Sequence, residues 1–127
     1  MILIIDDSPT DIELTTIALE ATGRGISVRS ALCGKSALAM LRNGHDSPNL
    51  ILLDLKMPGM GGIEVLREIR ADDRLRDIPV VVVTSSCLGS DRTETIAAGA
   101  SGYLQKPLDL DQFNKDLASI MHRWLPN

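Results

Sequence analysis

Short apolar runs alternate with stretches of helical spacing along the 127 residues, and this alternation most constrains the fold. The apolar runs are rich in β-branched residues, and each is short enough to form one strand. They are residues 2–5, 26–31, 50–53, 79–84 and 102–106. Between and after them, apolar residues recur every three or four positions, which predicts helices. The predicted helices lie near residues 9–22, 35–43, 61–70, 90–98 and 113–124.

The order of these elements predicts an α/β domain. Five strands that alternate with five helices form a parallel sheet whose two faces are both covered by helices. Because crossovers are right-handed and loops are short, we expect a doubly wound, flavodoxin-like sheet with strand order 2-1-3-4-5. Ser8 and Pro9 support the start of the first helix, as an N-cap residue and a first helical residue. No repeat or linker divides the chain, so we interpret residues 1–127 as one domain.

The composition argues against several classes of protein. A net charge of −4, a pI near 5.0 and the lack of a basic cluster disfavour nucleic-acid binding. No segment reaches the ~18 apolar residues that span a bilayer. The N-terminal MILIIDD also lacks the basic region of a signal peptide. Cys33 and Cys87 are expected to be free thiols in a reducing cytoplasm, so we predict a cytoplasmic protein without membrane or nucleic-acid partners.

Polar side chains follow four of the five predicted strands. In doubly wound sheets the ligand crevice lies beyond the carboxyl ends of the strands, so these residues are expected to converge. The second strand instead ends in apolar Ala31 and Leu32, as expected for a strand away from the crevice. The converging residues, in strand order, are Asp6, Asp7, Asp54, Thr84 and Lys106.

This set of residues suits phosphoryl transfer. Three neighbouring carboxylates repel one another, and Mg²⁺ would compensate their charge while keeping positions for phosphate oxygens. A hydroxyl at Thr84 and an ammonium at Lys106 can bind the remaining phosphoryl oxygens. Asp54 is the best candidate nucleophile because it stands alone, whereas Asp6 and Asp7 form a pair suited to holding a metal.

The chain resembles the receiver domain of two-component response regulators over essentially its whole length. Four motifs in the family's order carry the resemblance: IIDDS at residues 4–8, LLDLKMPGMGG at 52–62, VVVVTSS at 80–86 and GYLQKPL at 102–108. The loop RADDRLRDIP at residues 70–79 and the strand ending VVTSS at 82–86 resemble those of single-domain receivers, including the chemotaxis-regulator type and those paired with phytochrome-type kinases.

The resemblance implies a role for each matching residue. Asp54 would accept a phosphoryl group from a phosphohistidine on a sensor histidine kinase or a phosphotransfer protein. Asp7, Asp54 and the backbone carbonyl of Lys56 would hold Mg²⁺ or Mn²⁺, and Asp6 would act largely through water. Thr84 and Lys106 would bind the phosphoryl oxygens.

The resemblance also implies a readout of phosphorylation. Thr84 would move toward the phosphoryl group, and Tyr103, three residues before Lys106, would turn inward. The Lys106–Pro107 bond is usually cis in the family, which aims the lysine into the site. The changed surface would lie on the fourth helix, fifth strand and fifth helix and would bind a downstream protein that the sequence does not identify. Homodimerisation through the last helices is left open.

Two other functions and one side chain stay open at this point. An aspartyl-nucleophile phosphohydrolase would need a second acid two residues after its nucleophile. That position is occupied by Lys56 if Asp54 is the nucleophile and by Ser8 if Asp6 is, which speaks against this function. A degenerate receiver would lack some of the acids, the hydroxyl or the lysine, all of which are present. The Lys56 side chain could cover the pocket or extend into solvent. Gly61 departs from the family's common aspartate, which affects the start of the third helix.

Overall fold

A computed structural model describes residues 1–44, 47–85, 89–106 and 109–125, with residues 89–91 described by their backbone alone. Five strands and five helices alternate in these residues. The strands are β1 (Ile2–Ile5), β2 (Val28–Ala31), β3 (Leu50–Leu53), β4 (Val80–Thr84) and β5 (Gly102–Gln105). The helices are α1 (Pro9–Glu20), α2 (Gly34–Asn43), α3 (Gly62–Ala71), α4 (Gly89–Ala97) and α5 (Leu110–Trp124).

All strand pairs are parallel, and the sheet order is β2-β1-β3-β4-β5. This confirms the predicted α/β fold and strand order. Strands β1, β3 and β4 are buried along their whole length because helices cover both faces of the sheet. That explains why these strands are continuous apolar runs without alternation.

Two hydrophobic clusters lie on opposite faces of the sheet. One joins alternate residues of the strands to α2 and α3, through side chains such as Leu38, Val65 and Ile69. The other joins the intervening residues to α1 and α5, through Leu19, Phe113, Leu117 and Met121. Helix α4 lies against the edge strand β5.

The element boundaries differ from the predicted ones by a few residues. Strand β2 is shorter than residues 26–31 because pairing with β1 begins at Val28. Helix α5 begins at Leu110, before the first residue of its apolar face, because Asp109 caps it and accepts a hydrogen bond from the Asp111 amide. A polar cap of this kind leaves no trace in the apolar periodicity. Within the described residues, no helix is both long and apolar enough to cross a membrane.

Candidate functional site

Asp6 and Asp54 lie side by side because they directly follow two neighbouring strands. Ile5 and Leu53, the last residues of β1 and β3, are register partners. The Asp54 amide continues the ladder by donating to the Ile5 carbonyl at 2.8 Å. Both carboxylates are buried, at 4% and 6% residue exposure, whereas the neighbouring Asp7 is exposed. The sheet therefore delivers two buried acids to one point at its carboxyl edge.

Asp7 completes a group of three carboxylates. One oxygen from each of Asp6, Asp7 and Asp54 lies within 4.8 Å of the other two. Oxygen donors at this spacing, two buried and one open to solvent, match the ligands that Mg²⁺ and Mn²⁺ prefer while leaving room for water or phosphate oxygens. The residues present therefore fit a divalent cation.

Lys106 brings a positive charge to these acids. Its backbone amide donates to the Thr84 carbonyl at 2.6 Å, which fixes the lysine at the end of β5. Its ammonium Nζ lies 2.9 Å from Asp6 Oδ2 and 3.7 Å from Asp54 Oδ1. The second distance is an ion pair but too long for a hydrogen bond. Lys106 is therefore bonded to Asp6 and stands beside Asp54.

The charge of the site is not balanced by the protein. The pKa of Asp54 is raised from its ordinary 3.8 to about 6, chiefly by burial and also by the charges of Asp6 and Asp7. The charge of Lys106 and a hydrogen bond from the Lys56 amide lower it but do not cancel these effects. A buried carboxylate with a raised pKa among other acids is typical of a functional site.

The lysine shows the opposite response. Burial alone would lower the pKa of Lys106, but hydrogen bonds from its ammonium to Asp11 and Asp6 and the charge of Asp54 outweigh that effect and raise it. The side chain is 18% exposed. Lys106 is therefore charged throughout the pH range in which Asp54 titrates.

Asp11 is a member of the site that sequence reasoning missed. It lies in the first turn of α1, and its Oδ2 is 2.8 Å from Lys106 Nζ, closer than either Asp6 or Asp54. In the sequence this acid is explained by the helix start alone, because acids are common in a first turn. Its spacing of four from Asp7 gives the only hint, since it places Asp11 one turn beyond the acidic pair.

The start of α1 is hydrogen-bonded to the acids. The Ser8 amide donates to Asp6 Oδ1 at 3.0 Å, and Ser8 Oγ accepts from the Asp11 amide at 3.2 Å. The predicted N-cap at Ser8 is confirmed. One oxygen of Asp6 thus binds the helix start, and its other oxygen binds Lys106.

The remaining predicted site residues that the structure describes lie on β4, on β5 and in the loop after β3. Thr84 is the last residue of β4 and is fully buried, and Tyr103 is a partly buried residue of the edge strand β5. The Arg92 guanidinium stacks over the Tyr103 ring at 6.0 Å from its centroid. Lys56 has an exposed side chain, while its backbone amide reaches Asp54. Pro107, with its predicted cis bond, lies outside the described residues.

Two glycines shape the loop after Asp54. Gly61 is the N-cap of α3 and provides no side-chain hydrogen bond there, so the departure from aspartate bears on the start of α3 and not on the acidic group. Gly62 is required by a close approach, since a Cβ there would lie 2.8 Å from Leu55 Cα and clash with the Asp54 carbonyl. The loop can therefore pack directly on the residues that follow β3.

The model of the response regulator receiver domain family matches residues 2–118. The chain belongs to this family. Protein PilH of Pseudomonas aeruginosa is 33% identical over 120 residues, which are 94% of this receiver and 96% of PilH. The response regulator PleD of Caulobacter vibrioides is 40% identical over 108 residues, but the receiver spans only 23% of PleD.

Solved structures give the same family and fold. The phosphorylated cyanobacterial phytochrome response regulator RcpA has a TM-score of 0.89 and 33% identity, covering 98% of this receiver and 92% of RcpA. The Mn²⁺-bound response regulator Rcp1 has a TM-score of 0.83 and 33% identity, covering 99% and 94%.

Family membership fixes the class of function. The receiver is a phosphoacceptor signalling switch of two-component systems, as predicted. Receiver domains bind Mg²⁺ or Mn²⁺ through a cluster of aspartates, and they interact with histidine kinases or phosphotransfer proteins and with downstream targets. This receiver has such a cluster in Asp6, Asp7 and Asp54.

Proposed function

We propose that Asp54 is the phosphoacceptor of this receiver and that Asp6, Asp7 and Asp54 hold Mg²⁺ or Mn²⁺, with the backbone carbonyl of Lys56 as a further ligand. The observation that carries the proposal is the approach of three carboxylate oxygens to within 4.8 Å, with Lys106 in ion-pair contact. Asp54 is favoured as nucleophile because it is buried beside the lysine without being hydrogen-bonded to it.

In the proposed reaction, an Asp54 oxygen attacks the phosphorus of a phosphohistidine on the partner kinase or phosphotransfer protein. The P–O bond forms as the P–N bond breaks, and the electron pair of that bond returns to the imidazole nitrogen. With a pKa of about 6, Asp54 is mostly ionised near neutral pH and can act as nucleophile. The bound cation would supply positive charge to the phosphoryl oxygens and to the acids.

Lys106 and Thr84 are proposed to bind the transferred group. Lys106 Nζ stands 3.7 Å from Asp54 Oδ1, so a short movement of the ammonium would bring it within hydrogen-bonding distance of an oxygen of a phosphoryl group on Asp54. Thr84 is the last residue of the adjacent strand β4, and its carbonyl accepts the hydrogen bond from the Lys106 amide. Self-catalysed loss of the phosphoryl group occurs when water attacks the phosphorus. The bond between phosphorus and the Asp54 oxygen then breaks, inorganic phosphate is released, and Asp54 is again a carboxylate.

The proposed readout lies along β5. A cavity of about 340 Å³ opens between α4 and α5, and Tyr103, Arg92, Ile96 and Trp124 are among its lining residues. Movement of Thr84 toward a phosphoryl group would let Tyr103 turn inward and would change this surface. Trp124 is the one tryptophan of the chain, so its fluorescence should change on phosphorylation of the wild type and not of Asp54→Asn.

We propose that the receiver unit spans residues 1–127 and acts in the cytoplasm. Helix α5 continues beyond the matched residues 2–118, and its Met121 and the following Leu125 are buried in the cluster with α1. The free thiol of Cys33 suits a reducing compartment.

The test is phosphorylation by a small acyl phosphate. The protein is incubated with Mg²⁺ and acetyl phosphate, and intact mass is expected to show one labile phosphoryl group. Asp54→Asn should lose it, while Asp73→Asn, which removes an exposed acid from the loop after α3, should keep it. A phosphoryl group retained in Asp54→Asn would refute the assignment, and continuous phosphate release from many substrates would favour a phosphohydrolase.

A further inference from the structure

Asp11 holds Lys106 from the side of α1. Its Oδ2 lies 2.8 Å from Lys106 Nζ, and Asp6 Oδ2 lies 2.9 Å from the same nitrogen. Asp54 Oδ1, at 3.7 Å, receives no hydrogen bond from it. Of the three donors of the ammonium, two are therefore occupied by acids other than the proposed phosphoacceptor.

The two acids that hold the lysine are not equivalent. Asp6 is buried, with a 6% exposed side chain, and belongs to the proposed metal site. The Asp11 side chain is 39% exposed, and it stands outside the group of three acids. Water can replace the lysine at Asp11 at low cost, whereas releasing Asp6 would leave a buried charge without its partner. Asp11 is therefore the bond that can be given up.

The position of Asp11 is fixed by the helix start. Its amide is bound to Ser8 Oγ, and the Ser8 amide is bound to Asp6 Oδ1. Asp11 and Lys106 both line a small cavity of about 80 Å³ between α1 and α5. A movement of the lysine toward Asp54 would break the Asp11 bond while the Ser8 contacts stay in place.

We propose that Asp11 is a positioning residue that restrains Lys106 in the unphosphorylated receiver and competes with the phosphoryl group for its ammonium. This inference rests on the proposed function of Asp54 and Lys106. On phosphorylation, Lys106 keeps Asp6 and exchanges Asp11 for a phosphoryl oxygen. The restraint slows phosphorylation because moving the ammonium toward Asp54 breaks its ion pair with Asp11.

The first test removes the competing charge. We expect Asp11→Asn to take up phosphate from acetyl phosphate about two- to fivefold faster than wild type at subsaturating donor and saturating Mg²⁺, the range expected for losing a partly exposed ion pair. Glu13→Gln is the matched control, since it removes an exposed acid from the same helix and should leave the rate unchanged. Asp11→Ser, which keeps a hydrogen-bonding oxygen in the first turn, should be accelerated like Asp11→Asn and covers the case in which the asparagine variant folds poorly.

The second test asks whether Asp11 acts through Lys106. In a Lys106→Ala background, Asp11→Asn should no longer accelerate the slow uptake of phosphate, because no ammonium is left to release. An equal acceleration in both backgrounds would show a general charge effect and overturn the proposal, as would an Asp11→Asn rate at or below that of wild type. Wild type that takes up no phosphate would instead refute the proposed function itself, so the two failures are distinguishable.

Discussion

Partly buried charged groups lie at both the carboxyl and the amino edge of the sheet, and the protein compensates their charge to different degrees. At the carboxyl edge, Asp6, Asp7 and Asp54 crowd together and the pKa of Asp54 rises to about 6. At the amino edge, Arg70 at the end of α3 donates to the carbonyls of Gly99 at 2.8 Å, Ile78 at 2.8 Å and Arg76 at 3.0 Å. It also donates to Ser101 Oγ at 3.3 Å.

The difference separates a structural charge from a functional one. Arg70 donates to backbone carbonyls and a hydroxyl that themselves need hydrogen-bond partners. These bonds connect α3 to the starts of β4 and β5, so the role of Arg70 is structural. The acids have more negative charge than Lys106 can neutralise, so their site is suited to binding a cation. Substitutions of the charged groups at the two edges should therefore change the stability of the protein in opposite directions.

The largest expected effect comes from the satisfied edge. Arg70→Ala should lower the free energy of unfolding by about 2 to 4 kcal/mol, because several carbonyls lose a charged donor at once and Ser101 loses one of its contacts. Denaturant unfolding followed by circular dichroism measures it. Phosphorylation per folded molecule should stay near that of wild type.

Arg67→Ala is the matched control for that prediction. Arg67 lies one turn earlier on α3, is 63% exposed and makes an ion pair of 3.9 Å with Glu94. Its loss should change the free energy of unfolding by less than about 0.5 kcal/mol. Similar losses in both variants would mean that Arg70 stabilises α3 only as a surface charge.

At the unsatisfied edge, a substitution should stabilise the protein. The pKa of Asp54 is higher in the folded protein, at about 6, than the 3.8 of an ordinary aspartate. Its favourable contribution is present below about pH 4 and is lost as the pH rises through about 6, which costs about 2 to 3 kcal/mol at neutral pH. Metal-free Asp54→Asn should therefore gain stability over wild type between about pH 4 and 7, as seen by denaturant unfolding across that range. A stability difference between Asp54→Asn and wild type that does not change with pH would contradict the raised pKa of Asp54.

The strand and helix order could be predicted from the sequence because it depends on periodicity. Parallel strands buried on both faces are continuous apolar runs, and β1, β3 and β4 carry this signature clearly. Boundaries set by caps and register were less predictable. The start of β2 at Val28 is fixed by pairing with β1, and the start of α5 at Leu110 by the cap at Asp109.

The candidate site was predictable only as far as strand ends reveal it. Asp6, Asp54 and Lys106 each follow a strand, so the topology brings them together. Asp11 was missed because its partner Lys106 lies 95 residues away in sequence, and its place in a first helical turn has a sufficient local explanation. Arg70 was missed for a similar reason, since long-range bonds to backbone carbonyls depend on no particular side chain and leave no motif.

Added Mg²⁺ should stabilise only a protein whose carboxyl edge is intact. At a concentration ten times its Kd, the cation should raise the free energy of unfolding of wild type by about 1.4 kcal/mol. Asp54→Asn and Asp7→Asn should lose most of this increment, whereas Arg70→Ala should keep it despite its lower stability. Denaturant unfolding at matched ionic strength measures it, because screening of surface acids would otherwise add to the effect. An equal increment in Asp7→Asn would place the cation elsewhere.

The smallest expected effect concerns the side chain of Lys56. Its backbone amide donates a hydrogen bond to Asp54. Its ammonium is exposed, so water and salt weaken its attraction to a phosphoryl group. The rate of phosphate loss from Lys56→Ala should stay within about twofold of wild type, and Lys35→Ala controls for the loss of one exposed positive charge. A change beyond about fivefold in Lys56→Ala alone would mean that the side chain covers the pocket. The Lys56 ammonium would then also compensate the charge of the acids at the carboxyl edge, and that edge would differ less from the amino edge with its hydrogen-bonded Arg70.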